Sequence, residues 1–520
     1  MRYRVRPVSL PTARSHLTPD RVAVVDLGSN TFRLVVFAVA PERPPRLLDE
    51  IRDPVRLSAG VVDGRIRTEA IERAGRTARA YARFCHTVGI EDVHAVATSA
   101  IREATNQDEI LAAISGPEGL PVRVISTEEE ARYGYLGAVN ASTLTDGAVL
   151  DVGGGSMQLT RVARRRQRDF ASFALGAVRA TEDYLLDDPP RKRHIKALRR
   201  AVRGGLTELD WLELVEGRML GIGGSIRTLA AMDQRRRDYT LREIQGYRLT
   251  GEALQELIDE MAALPATQRA RLPGLKRDRA DILLGGAVVV AEVMDALGFD
   301  RIEVCGTGLR EGVYYGLAGE GDRQLLQDVR RGTVLGLAEE LNADVDHAEQ
   351  VWQIARTLYE RLGALDLQHD DPVEREWLWA AAMLHDVGVL IDYHDHHKHS
   401  EYLVLNAGLP GFDHRELAII SALVRGHRKS LPNLGRFQEI TRRDDQARVD
   451  RLGACLRLAE QLERGRSRSI VDVRAGRADG ALHLEIVSDG DAALGTWAAA
   501  QEQQAIERAF GLGLRITAAA

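Results

Sequence analysis

Cysteine is scarce in this chain: Cys85, Cys305 and Cys455 are the only ones in 520 residues. They lie too far apart for a disulfide framework or a cysteine-based zinc site, and read as buried thiols in a reducing, cytoplasmic compartment. A long apolar run is also missing. With no stretch of about 18 apolar residues, no membrane-spanning helix is expected. Residues 1–20 carry Arg2, Arg4, Arg6 and Arg14 but no apolar segment of signal-peptide length, so they read as a flexible basic tail. Positive charge is not in excess either: the formal net charge of −6 argues against a general nucleic-acid binder.

What remains is an ordinary globular composition, 44% apolar and 28% charged, in a chain too long for a single core. Several domains are expected. Arginine is bunched at 164–168, 191–193, 235–237 and 464–468. Such runs are commonly solvated faces, but in an acidic protein they could line a track for a polyanion.

The most informative feature is a repeated motif. Val22–Asp26 is an apolar run ending in Asp, followed by Leu27-Gly28-Ser29-Asn30-Thr31 and a second apolar run from Phe32. Ala148–Asp151, then Val152-Gly153-Gly154-Gly155-Ser156 and Met157–Thr160, follow the same plan. Asp26 aligns with Asp151, Gly28 with Gly153 and Thr31 with Ser156. A strand ending in Asp, a glycine turn and a returning strand present backbone N–H groups to an anion without a Cβ in the way. Ser29, Asn30 and Ser156 add side-chain donors, and the Asp before each turn suits a hydrated Mg²⁺ bound with phosphate. One copy alone reads as an ordinary hairpin; two matching copies point to two half-domains closing on one phosphorylated ligand. Leu220–Arg227 and Ile302–Arg310 repeat a strand, a glycine turn and a helix start, which turns helix N-termini toward an anion. Ser126-Thr127-Glu128-Glu129-Glu130 reads as a capped helix start, and the residues alone do not choose among the three glutamates.

Taken together, Val25–Phe32, Ala97–Ala104, Ile125–Arg132, Asp151–Ser156 and Gly221–Ser225 resemble the exopolyphosphatase/guanosine pentaphosphatase (Ppx/GppA) family of the actin-like ATPase superfamily. The resemblance is strongest over residues 21–318. It implies an α/β fold of two ribonuclease H-like domains with the site between them, followed by an all-α HD-like domain and a small α/β tail. The expected bounds are 1–20 for the tail, 21–133 and 134–320 for the two actin-like domains, 321–468 for the HD-like domain and 469–520 for the C-terminal piece. It implies Glu130 as general base and Arg102 as a phosphate-binding arginine. Ser29, Asn30, Gly153, Gly154, Gly155 and Ser156 form the phosphate cradle, and Asp151, Asp26 and Gln158 stand at the metal positions for Mg²⁺, with Mn²⁺ as the alternative. Many relatives carry Thr-Glu after the glycine turn, where this chain has Met157-Gln158, so an altered metal dependence is expected.

The implied reaction is Mg²⁺-dependent removal of the terminal phosphate of inorganic polyphosphate. The alternatives are the 5′-phosphate of guanosine pentaphosphate (pppGpp), or a weakly catalytic sensor of pppGpp, ppGpp or polyphosphate. A kinase or chaperone of the same superfamily fits less well, given the Glu-Glu-Ala-Arg segment and the helical appendage. A homodimer is implied; no membrane and no specific nucleic acid are. Finally, Ala382–Gly388 resembles the core of HD phosphohydrolases, with His385 and Asp386 adjacent, His347 upstream and Glu460 where the last acidic ligand would stand. At this level a retained scaffold with polar remnants is the favoured reading over a second metal site.

Overall fold

The protein is described from a computed structural model covering residues 20–39, 43–58, 61, 63–319 and 321–519. Apart from Asp20, the expected N-terminal tail lies outside the described residues.

The repeat in the sequence becomes a repeat in space. Strands β1 (Arg21–Leu27), β2 (Phe32–Ala38) and β3 (Arg46–Asp53) form an antiparallel meander, and β4 (Asp92–Ala97) and β5 (Val122–Val124) extend it in parallel from β1, giving the order β3-β2-β1-β4-β5. The second sheet contains β6 (Gly147–Val152), β7 (Met157–Ala163), β8 (Arg166–Phe173), β9 (Arg218–Ile222), β10 (Arg248–Thr250) and β11 (Arg301–Val304). Its run β8-β7-β6-β9-β11 has the same order and directions, with β10 added at the edge. The central strands are continuous aliphatic runs because both faces are covered. Val22–Val25 and Ala148–Leu150 are buried almost completely. The helix Leu283–Ala296 is buried on nearly every side, which explains its lack of an apolar stripe.

Two helices join the lobes. Thr127–Val139 lies against Leu309–Gly316 so closely that a Cβ on Gly137 would come within 2.0 Å of the Gly308 carbonyl oxygen. A Cβ on Gly312 would come within 1.7 Å of the Tyr133 carbonyl oxygen. Only glycine permits this backbone-to-backbone contact. The expected boundary between residues 133 and 134 falls inside the first of these helices.

From Val329 to Leu462 the chain is helical, as its composition suggests. The C-terminal strands β12 (Ile470–Ala478), β13 (Ala481–Ser488) and β14 (Gly513–Ala518) form a small sheet. Val473, Leu482 and Ile506 belong to the same apolar cluster as Val351, Trp377 and Leu456, so residues 469–520 share a core with the helices instead of building their own. The helical part is anchored to the second lobe through His414. Its Nε2 lies 3.0 Å from the Gln245 carbonyl oxygen and its Nδ1 lies 3.0 Å from the Tyr239 hydroxyl. Among the described residues no helix is long and apolar enough to cross a membrane, and all three cysteines are buried and unpaired.

Candidate functional site

The two turns close identically. Gly28 N–H donates to the Thr31 carbonyl at 3.2 Å, and Gly153 N–H donates to the Ser156 carbonyl at 3.0 Å. Each turn connects a buried strand pair, so Asp26 and Asp151 are delivered to the same level from opposite lobes. The turns also touch: a Cβ on Gly154 would lie 3.2 Å from Ser29 Cβ, and one on Gly155 would lie 2.6 Å from Ser99 Oγ. Gly155 therefore permits the approach of the lobes and is not on the wall of the cleft, while Gly153, Gly154, Ser29, Asn30 and Ser156 are.

The cleft has a volume of about 150 Å³ and is lined from both lobes. Its floor is acidic. Burial raises the Asp26 carboxyl above its usual range against the pull of Arg310 and Arg33. Burial pushes Asp151 up to about 7, with Glu130 and Asp26 adding to the shift and Arg227 opposing it. Glu130 is raised by burial and partly restored by Arg102, whose Nη1 donates to Glu130 Oε2 at 2.8 Å and to the Ile125 carbonyl at 3.0 Å. These carboxylates do not gather into a tight cluster. Among the described residues, the only groups of three or more ligand side chains within 4.8 Å lie elsewhere. Half-buried, separated carboxylate oxygens fit a hydrated Mg²⁺ that keeps several waters and takes phosphate oxygens as further ligands.

The structure separates the three glutamates. Glu129 forms a capping box with Ser126, its carboxylate accepting from Ser126 N–H at 2.8 Å and its own N–H donating to Ser126 Oγ at 3.1 Å. Glu128 is exposed. Only Glu130 reaches the cleft.

Two expected roles change. Arg102 does not line the cleft; it holds Glu130. Gln158 pairs across the strands with Asp151 and is buried, and its amide nitrogen donates to Ser156 Oγ at 2.8 Å, so it positions the serine. The arginine runs also behave differently from a track. Arg165 donates to the Val139, Ser142 and Leu326 carbonyls, Arg166 pairs with Asp322, Arg236 and Arg237 with Asp233, and Arg466 with Asp344.

The cationic wall comes instead from isolated arginines that the sequence reading missed: Arg33, Arg52, Arg227, Arg279 and Arg310. Arg227 donates to the Gly306 and Thr307 carbonyls, and neither it nor Arg279 has a salt bridge among the described residues. Burial, with repulsion from neighbouring arginines, pulls Arg33 and Arg279 down to about 10. Both still carry their protons at neutral pH, and the crowding favours an anion between them. A Cβ on Gly224 would strike the Arg279 guanidinium at 2.2 Å, so that glycine makes room for it. Asn30 Nδ2 and Thr31 Oγ1 are buried without a hydrogen-bond partner. Helices starting at Gly224 and Leu309 open toward the same space. The arrangement can bind a chain of phosphates and hold a water against the one nearest Glu130.

The four residues named for an HD-like site also meet. His347 Nε2 and His385 Nε2 each lie 3.2 Å from Glu460 Oε2, and His385 Nε2 lies 3.6 Å from Asp386 Oδ1. His396 and His427, neither singled out from the sequence, complete the cluster. Nothing in local spacing marks His427.

Comparison with known proteins gives a consistent picture. The Ppx/GppA phosphatase family matches residues 35–320, and Ppx/GppA phosphatase, domain III, matches 329–492. A curated relative from Pseudoalteromonas translucida, named guanosine-5′-triphosphate,3′-diphosphate pyrophosphatase, is 29% identical over 415 residues, 79% of this chain and 81% of that protein. The crystal structure of the Aquifex aeolicus member of the Ppx/GppA family is 28% identical with a TM-score of 0.50, covering 56% of this chain and 96% of that one. An exopolyphosphatase from Cytophaga hutchinsonii shares the fold at 24% identity and a TM-score of 0.54, over 57% and 97% of the two chains.

Proposed function

We propose, from the premise that this chain belongs to the Ppx/GppA phosphatase family and has its actin-like α/β fold, that it hydrolyses the terminal phosphoanhydride of inorganic polyphosphate. The observation that carries this reading is a largely buried glutamate, oriented by an arginine, lining with two half-buried aspartates a cleft walled by five arginines. Glu130 accepts a proton from water as the water oxygen bonds to the terminal phosphorus and the bridging P–O bond breaks, releasing phosphate and a chain one unit shorter. Its pKa, raised by burial, brings the carboxylate nearer to the working pH of a general base. Arg102 fixes the carboxylate so that one oxygen stays aimed at the water. The turn amides, Ser29, Asn30 and Ser156 hold the terminal phosphate, and Arg227 and Arg279 offset charge on the phosphates behind it. Asp26 and Asp151 would hold Mg²⁺, which when bound neutralises phosphate charge.

Polyphosphate is favoured over a nucleotide because none of the residues lining the cleft is aromatic, leaving no stacking face for a base. The second reading is pppGpp hydrolysis, favoured by the name of the curated relative. The deciding experiment is phosphate release with Mg²⁺ from long-chain polyphosphate and from pppGpp, by wild type and Glu130→Ala. Faster release from polyphosphate, abolished in the variant, is expected. Preference for pppGpp would select the second reading, and undiminished release by the variant would remove Glu130 as the base.

A further inference from the structure

The histidine cluster lies in the helical part, away from the cleft, and draws its members from five separate segments. His347 is in the helix Val345–Ala364 and His385-Asp386 follow the helix Pro372–Leu384. His396 opens His396–Ala407, His427 ends His414–Gly426 and Glu460 sits in Asp445–Leu462. Convergence of this kind into an apolar core is costly unless the charges are paired or ligated.

The tautomers decide the chemistry. His385, His396 and His427 each place Nδ1 against the carbonyl oxygen three residues before, Ala382 at 2.7 Å, Tyr393 at 2.9 Å and Val424 at 2.7 Å. A carbonyl only accepts, so Nδ1 carries the hydrogen and, in a neutral ring, Nε2 is a bare lone pair. Those lone pairs face other acceptors. His396 Nε2 and His427 Nε2 are 3.1 Å apart, and Asp386 Oδ1 lies 3.2 Å from the first and 3.7 Å from the second. His385 Nε2 and Asp386 Oδ1 are both buried without a hydrogen-bond partner. The other oxygen of Asp386 accepts from Arg466 Nη2 at 2.9 Å, which turns Oδ1 into the cluster. Three imidazoles fixed by backbone carbonyls, and a carboxylate fixed by an arginine, are how a protein holds ligand atoms ready for a cation.

We propose that the helical part binds a pair of adjacent first-row divalent cations, one on His347, His385 and Glu460 and one on His396 and His427, with Asp386 shared between them. Two groups of three, His347, His385 and Asp386, and Asp386, His396 and His427, bring their donor atoms within 4.8 Å of one another and have Asp386 in common. A nitrogen-rich donor set of four imidazoles and two carboxylates suits the manganese-to-zinc series and not Mg²⁺ or Ca²⁺, which take oxygen. This replaces the scaffold reading of the sequence, and it stands independently of the reaction assigned to the cleft. His385 is fully buried while the Asp386 and Glu460 side chains are 14% and 16% exposed, so cations enter on the carboxylate side.

The alternative occupant is the proton, as imidazoliums shared with the two carboxylates. The test is elemental analysis of the full-length protein, stripped with EDTA, reloaded with Zn²⁺ or Mn²⁺ and desalted. About two equivalents of metal per chain are expected, falling by about one in His427→Gln and by both in Asp386→Ala. If Asp386→Ala does not fold, X-ray absorption at the metal edge of the wild type must show imidazole scattering. Wild type that retains less than about half an equivalent, metal fully retained in Asp386→Ala, or an edge spectrum lacking imidazole would overturn the proposal.

Discussion

The cleft and the histidine cluster assemble charge in opposite ways. In the cleft, Asp26, Asp151 and Glu130 are half-buried and kept apart, and the facing wall is a set of arginines, two of them without salt bridges among the described residues. In the cluster, four histidines and two carboxylates from five segments meet, and backbone carbonyls hold three of the four rings. On the proposed readings, the first arrangement is completed by the substrate's own charge and the second is assembled by the fold before a cation arrives.

The strongest way to sharpen that contrast is Glu130→Ala. Phosphate release should fall by about a hundred- to ten-thousand-fold, the range for a general base, with transition-metal content unchanged. Equal loss of metal and activity would mean the two regions are one functional unit.

The next largest effect concerns the joint between them. Burial pulls His414 down to about 4, from about 6.5 in an unfolded chain. Its contribution to stability is therefore intact above pH 6.5 and is lost as pH falls toward 4, by at most about 1.4 kcal/mol per unit. Melting at pH 5 against pH 7.5 should show about 2 kcal/mol lost by this residue. His414→Gln should flatten that difference; an unchanged pH profile would assign it to other histidines.

A third comparison is Arg227→Ala, which removes a cation facing the substrate. Losing hydrogen bonds to a charged partner costs about 1.5–3 kcal/mol, read as a rise in KM for polyphosphate and a weaker dependence on salt. The smallest effect belongs to the exposed ion pair between Glu103 of the first lobe and Arg179 of the second. Breaking it with Glu103→Ala should change stability by no more than about 1 kcal/mol, while a large loss of activity would show that lobe alignment depends on it.

The turns were legible in the sequence because each presents several features in order: a buried strand, Asp, glycine, small donors and a second strand. The coupling of Asp26 to Asp151 followed from the repeat, and the helical character of residues 329–462 from composition. Glu130 was not separable from Glu129 by local chemistry, since both suit a helix start; only the capping box shows which one turns away. Arg227 and Arg279 were invisible because a single arginine looks like any surface arginine until the lobes close over it. His427 escaped for the same reason, whereas the arginine runs drew attention by their density, and Arg165, Arg166, Arg236, Arg237 and Arg466 within them are tied into ion pairs and carbonyls.

The glycine contact between the helices Thr127–Val139 and Leu309–Gly316 has a mechanical consequence. One of these helices carries Glu130 near its first turn, and the other begins with Leu309-Arg310. Gly137 against Gly308 and Gly312 against Tyr133 bring the two backbones into direct contact, and the Tyr133 ring packs onto Gly316 beside them. Glu130 and Arg310 are therefore carried on a joined pair of helices, and a side chain at Gly137 or Gly312 would force the two apart.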